Sequence, residues 1–210
     1  MSIPSPIISE MQSWVITGGI ACGKSTVLSR LQESLGAKKL AVYSCDEEVR
    51  RLLGLPAIQE AIKVRIGPGV VENGEVNRER LGKLVFEDLK ARKELEAILH
   101  PPVLAALEGA RGAAREAGTV NLFVAEVPLH YEIGGTVAAD HVIVVASSLD
   151  QQVRRLMHYR GLDKARSESM VGAQWPVLEK ANKATKVIWN DGSEEALDDQ
   201  ISILLSAFDP

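Results

Sequence analysis

The segment Gly18-Gly19-Ile20-Ala21-Cys22-Gly23-Lys24-Ser25-Thr26 follows directly on the apolar run WVIT (14–17) and opens an amphipathic stretch from Ser25 to Leu35. It satisfies the spacing G-x-x-x-x-G-K-[ST]. A strand that turns through glycines into a helix start gathers backbone N–H groups and the positive end of a helix dipole around an anion. In such a loop Lys24 reaches the β and γ phosphates of a nucleotide, and Ser25 offers its hydroxyl to Mg2+. This one feature predicts an α/β fold whose first strand feeds a phosphate-binding loop.

The rest of the chain agrees with that reading. Short β-rich runs recur at LAVYS (40–44), VNLFVA (120–125), HVIVVA (141–146) and KVIW (186–189), with lengths that suit strands buried on both faces. Amphipathic patterns at Asp46 to Leu53, Arg78 to Leu89, Pro102 to Ala117 and Glu194 to Leu205 alternate with them. Strands alternating with helices predict a five-stranded parallel sheet flanked by helices. About 75 residues separate the second and third strands, far more than one crossover needs, so a helical insertion is expected there. A second helical excursion, rich in charge, runs from about Asp150 to Lys183. The expected organisation is a flexible N-terminal tail (1–13) and a single domain (14–208) with those two elaborations, at about 46–118 and about 150–183.

Composition excludes several classes. With 46% apolar and 25% charged residues the chain is neither disordered nor fibrous. A formal charge of −4 gives no global attraction for nucleic acid or anionic lipid, so any anion is bound locally. Cys22, Cys45 and four scattered histidines show no zinc spacing, and two cysteines fit a reducing cytoplasm. The segment MSIPSPIISEMQS lacks the basic and apolar regions of a signal peptide, and no run is long enough to span a bilayer. A cytoplasmic protein is expected, monomeric or weakly self-associating, with a small-molecule substrate.

A phosphate loop by itself is compatible with a kinase, a GTPase, a motor or a silent nucleotide-binding module. The chain has no D-x-x-G, and Asn182-Lys183-Ala184-Thr185 places threonine where guanine recognition needs a carboxylate, which excludes the GTPase. The helical insertion and the basic late segment suit a small-molecule kinase that builds an acceptor pocket and closes a lid.

From Trp14 to Leu205 the sequence resembles the dephospho-CoA kinase family. ITGGIACGKSTV is similar to that family's opening strand and loop, with Ala21-Cys22 where Gly-Ser is more usual. SCDEEVR carries the second aspartate (Asp46) and the arginine (Arg50) of D-A-D-x-x-x-R, with Ser44 at the first aspartate. Arg78, Leu95 and His100-Pro101 follow the family's helical middle, and Pro128, Leu129 and Glu132 its P-L-L-x-E turn. Gln174, Pro176, Lys180, Ala184, Asn190 and Gly192 match its late run, with Thr185 replacing an aspartate. The lid pattern Q-x-x-R-x-x-x-R is met at Gln152 and Arg155, whereas Tyr159 stands at the second arginine.

The resemblance implies a P-loop kinase fold and transfer of the ATP γ-phosphoryl to the ribose 3′-hydroxyl of dephospho-CoA. It implies ATP contacts at Gly19 to Thr26 and at Asn190, Mg2+ at Ser25, and acceptor contacts at Asp46, Arg50, Arg78, His100, Pro128 and Leu129. Asp46 is then the carboxylate that takes the hydroxyl proton, with a helix N-cap as its bland alternative. Arg50 and Arg78 can clamp phosphate bidentately or be ordinary surface arginines. His100 is read as the end of one helix before a proline pair that starts the next. Glu47 and Glu48 read as a solvated first turn, Glu126 as a metal-associated carboxylate or a polar strand end, and Cys22 as a small packed residue. Trp14 reads as buried and Trp175 as a lid-helix anchor. With Tyr159 lacking the needed charge, Arg160, next to Gly161, is the expected replacement for the missing lid arginine, and Arg155 keeps its ordinary catalytic place.

Overall fold

The alternation of short apolar runs with amphipathic stretches is realised in a computed structural model that describes residues 11–36, 38–72 and 74–207. Along the chain run β1 (Gln12–Gly18), α1 (Lys24–Leu35), β2 (Leu40–Ser44), α2 (Cys45–Leu53), α3 (Pro56–Arg65), β3 (Val71–Glu72), β4 (Glu75–Val76), α4 (Arg78–Glu87) and α5 (Leu89–Ala117). There follow β5 (Leu122–Glu126), β6 (His141–Ala146), α6 (Leu149–Arg160), α7 (Lys164–Gly172), α8 (Val177–Lys183), β7 (Lys186–Trp189) and α9 (Glu194–Ser206). The expected tail falls mostly outside the described residues, and Gln12 and Ser13 belong to β1.

The chain divides into two compact units, one formed by Ser44–Ala110 and the other by the described residues on either side of it. In the larger unit the sheet order is β2-β5-β1-β6-β7. Pairing is parallel between β1 and β5, β1 and β6, and β6 and β7. Trp14, Ile16, Leu122, Val124, Ile143, Val145 and Ile188 bury against Val27 and Leu31 of α1 and Leu197 and Ile201 of α9. On the opposite face Val15, Phe123, Ala125, Val144 and Ala146 are buried too, so β1, β5 and β6 need no polar alternation and read as continuous apolar runs. Arg30 of α1 adds a surface link, pairing with Glu194 at 2.9 Å and Asp198 at 3.2 Å on α9.

The smaller unit is helical apart from the β3–β4 hairpin. Here α5 corrects the sequence reading, because it continues unbroken through Pro101 and Pro102 and His100 ends no helix. Each proline removes one backbone donor. The apolar stripe of Leu99, Val103 and Leu107, buried at 6%, 8% and 0% exposure, runs across the pair at helical spacing and keeps both halves in register. The break comes earlier, at Asp88, whose carboxylate accepts the N–H groups of Lys90 (2.7 Å) and Ala91 (3.2 Å) and caps α5. Glu48 is not solvated as expected; it is largely covered and pairs with Arg51 at 2.6 Å. That guanidinium, by donating hydrogen bonds to Glu48, holds the Glu48 carboxyl below its ordinary value.

Candidate functional site

β1 lies between β5 and β6, and the chain passes from one flank of β1 to the other on going from β5 to β6. Open parallel sheets take ligands beyond the carboxyl ends of their strands at such a reversal. The loop Gly18 to Thr26 occupies that position. Gly18 has φ 147°, and a Cβ there would stand 2.0 Å from the Val145 carbonyl oxygen of β6, so no side chain fits. Gly23 has φ 92° and its Cβ would meet the Asn190 amide nitrogen at 2.3 Å. Ala21 adopts the left-handed region too, at φ 57°, where the family more usually has glycine.

The loop is held by side chains from several elements of the larger unit. Asn190 Nδ2 donates to the Cys22 carbonyl at 2.9 Å. Arg155 donates to the Ala21 carbonyl at 3.1 Å and to the Asn190 carbonyl at 2.8 Å. The Ile20 N–H donates to Gln174 Oε1 at 2.8 Å. Gln152, in contact range of Gly19, donates to the Ser147 carbonyl at 3.0 Å. Lys24 Nζ donates to the Gly19 carbonyl at 3.0 Å. Cys22 is fully buried in the core cluster, as its reading as a packed residue requires. Ser25 and Thr26 are exposed, and they precede the first i to i−4 bond of the helix, from Val27 N–H to the Gly23 carbonyl.

The turn after β5 is tied to β1: Val127 N–H donates to the Ile16 carbonyl at 2.9 Å, and the Thr17 hydroxyl to the Pro128 carbonyl at 3.2 Å. Leu129 is exposed, and Glu126 closes the strand. Next along, His130 is buried at 3% exposure. Burial holds its pKa below the ordinary 6.5, against an opposing pull from Glu132. A lowered histidine means that the unfolded chain binds more protons below pH 6.5. The stability that neutral His130 contributes is thus complete above that pH and declines as pH falls toward the folded value. His130→Gln is expected to make the fall in Tm between pH 7 and pH 5 shallower, measured by thermal melts across that range.

In the smaller unit, Asp46 sits exposed in the first turn of α2, and Ser44 is the cap, its hydroxyl accepting the Glu47 N–H at 3.4 Å. The capping alternative for Asp46 is thereby taken by the very residue that departs from the family pattern. Arg50, four residues on, shares the face of α2 with Asp46. Arg78, the first residue of α4, brings its guanidinium to the Arg50 carbonyl at 3.5 Å. His100 is half-buried in the middle of α5.

In the late segment α6 remains helical through Arg160 and stops at Gly161, whose φ of 63° provides a left-handed cap. At 3.6 residues per turn, Tyr159 lies about 40° and Arg160 about 140° around the helix from Arg155. Tyr159 and Arg160 are both exposed. Thr185, the other departure, has a local structural role: its hydroxyl accepts the Val142 N–H at 2.8 Å and donates to the Val142 carbonyl at 3.0 Å. Sequence reasoning assigned no contact to Gln152 or Gln174, although both stand in the quoted patterns. Among the described residues, no cluster of three or more His, Cys, Asp or Glu could hold a metal, and no helix is long and apolar enough to cross a membrane.

Comparison with known proteins agrees with this geometry. The family model described as dephospho-CoA kinase matches residues 14–196. A dephospho-CoA kinase of Geobacillus kaustophilus is 38% identical over 197 residues, covering 92% of this chain and 95% of the relative. A crystal structure from Thermus thermophilus superposes with a TM-score of 0.81 at 31% identity, covering 96% of this chain and all of the other. The dephospho-CoA kinase of Campylobacter jejuni gives a TM-score of 0.62 at 25% identity, covering 93% and 96%.

Proposed function

The chain belongs to the dephospho-CoA kinase family, and on that premise we propose that it transfers the γ-phosphoryl of ATP to the ribose 3′-hydroxyl of dephospho-CoA, giving CoA and ADP. The observation that carries the reading is the loop Gly18 to Thr26, with two glycines that admit no side chain and an exposed helix start at the carboxyl end of the central strand. The reading places the enzyme in the cytoplasm, as a monomer or weak homo-oligomer.

In this reading, the loop Gly19 to Thr26 surrounds the nucleotide phosphates, the backbone donors at the start of α1 bind them, and Lys24 leaves the Gly19 carbonyl to neutralise charge on the transferring group. Ser25 suits Mg2+, a cation that is typically held by few protein ligands together with substrate phosphates. When bound, the ion would neutralise charge on the phosphate oxygens. Asp46 orients the acceptor hydroxyl and receives its proton. Arg50 and Arg78 give two cationic groups for the anionic acceptor, with His100, Pro128 and Leu129 as further contacts. Asn190 contributes to the ATP site beside the loop.

The departures at Ser44 and Thr185 do not argue for a silent module, since each has a structural partner. For the lid, Arg160 supplies the charge missing at Tyr159, whereas the Arg155 guanidinium serves the loop through Ala21 and Asn190. Arg160→Ala is expected to lower kcat about 10- to 100-fold with ATP KM little changed, the loss of one charge-assisted bond in the transition state. Arg155→Ala is expected to act mainly on ATP KM. Steady-state kinetics of both, with Tyr159→Arg, separate the roles, and normal turnover in Arg160→Ala removes Arg160 from the mechanism. The activity itself is tested with purified protein, Mg-ATP and a panel of acceptors scored by product mass. Phosphorylation of a nucleoside monophosphate or a sugar acid in preference to dephospho-CoA, or of no acceptor, would overturn the assignment.

A further inference from the structure

The turn after β5 and the middle of α8 share a buried ion pair that phosphoryl transfer does not use. Glu132 Oε1 stands 2.6 Å from Lys180 Nζ, with the two side chains 7% and 0% exposed. The same oxygen accepts the Trp175 N–H at 3.2 Å. The rings of Trp175 and Tyr131 lie parallel within 9°, with centroids 6.4 Å apart. Removing two charges from water offsets much of their attraction, so such a pair contributes little net stability and is better suited to fixing one arrangement.

What it fixes is next to the phosphate loop. Gln174, immediately before Trp175, takes the Ile20 N–H at 2.8 Å. The turn carrying Glu132 is anchored to β1 just ahead of the loop, through Ile16 and Thr17. Bonds therefore run in a closed circuit from β1 through Glu132, Trp175 and Gln174 back to Ile20.

We infer that Glu132 is a positioning residue for the nucleotide cradle, holding residues 174–180 so that Gln174 fixes the first half of the loop. The inference rests on the reading of Gly18 to Thr26 as that cradle. With the Ile20 N–H occupied from outside, the loop is shaped before the nucleotide arrives and the donors at the start of α1 remain for phosphate. A loop ordered in advance binds without the cost of ordering on contact. Loss of the circuit should thus weaken ATP binding and leave the transfer step, once ATP is bound, nearly as fast.

The test compares Gln174→Ala, Glu132→Gln and the double variant in the full chain, measuring ATP Kd by calorimetry without acceptor, then kcat and ATP KM. Each single variant should raise ATP Kd and KM about 3- to 10-fold, the range of one net hydrogen bond, with kcat within about twofold. The double variant should bind no more weakly than the weaker single variant, because both break one circuit. If Glu132→Gln does not fold with Lys180 left unpaired, Glu132→Gln with Lys180→Met, neutral on both sides, replaces it. Unchanged ATP affinity in Gln174→Ala, or effects of the two substitutions that multiply, would overturn the inference. Lys24→Ala is assayed alongside. Full turnover there means that the cradle reading has failed, whereas lost turnover with unchanged Gln174→Ala and Glu132→Gln means that only the positioning role has failed.

Discussion

Lys24→Ala should lower kcat by about 10³-fold or more while leaving the protein folded, because the lysine brings the loop's positive charge to the β and γ phosphates, where negative charge develops on the leaving oxygen as the bond breaks. Its cost to the fold is small. The side chain is half-buried at the first position of α1, and its ammonium donates to the Gly19 carbonyl. Losing that bond costs about 1 kcal/mol, partly offset by the high helix propensity of alanine. Turnover measured with saturating acceptor, beside a thermal melt, checks both halves. Wild-type turnover in a folded variant would mean that the anion is bound elsewhere and that the glycine-rich turn is only a turn.

The sheet was legible in the sequence because each strand is a short apolar run and the three central ones, β1, β5 and β6, are buried along nearly their whole length, so local composition and tertiary environment agree. All five apolar runs became strands, with bounds that moved by at most two residues. The helical unit was less legible where a local rule met a tertiary one. A proline pair is a strong local signal to stop, yet Leu99, Val103 and Leu107 bury one continuous face across it, and packing prevailed. The β3–β4 hairpin escaped notice because its strands are two residues long, too short for alternation to register, although Asn73-Gly74 is a common hairpin dipeptide.

The site divides along the same line. A phosphate loop is a contiguous motif whose backbone demands are written in its glycines, so Gly18 and Gly23 could be read directly. Its supports are dispersed: Arg155, Gln174 and Asn190 lie far along the chain, and only folding brings them to the carbonyl and N–H groups of Ile20 to Cys22. Periodicity carries no trace of such bonds. The resemblance gave Asn190 to ATP and Arg155 a catalytic place, but it carried no word of the protein groups they bond, which for the Arg155 guanidinium are the Ala21 and Asn190 carbonyls.

Asp46→Asn is expected to reduce kcat by about 10²- to 10⁴-fold, the range for removing a general base, with ATP KM unchanged to within about twofold. The amide keeps the shape of the carboxylate and can still accept a hydrogen bond, but it cannot take the proton of the acceptor hydroxyl at neutral pH. The helix around it should not be disturbed, since Ser44 supplies the cap and Asp46 is exposed one residue into α2. The carboxylate's interaction with the helix dipole is worth about 0.3–1 kcal/mol, too little to unfold the protein. A structural role therefore predicts a slightly lower Tm with normal kinetics, and a catalytic role predicts a normal Tm with a collapsed kcat. Single-turnover kinetics with pre-bound ATP make the distinction sharper, because they read the chemical step without product release. An unchanged single-turnover rate would leave Asp46 as a helix-terminal charge and require another group to receive the hydroxyl proton.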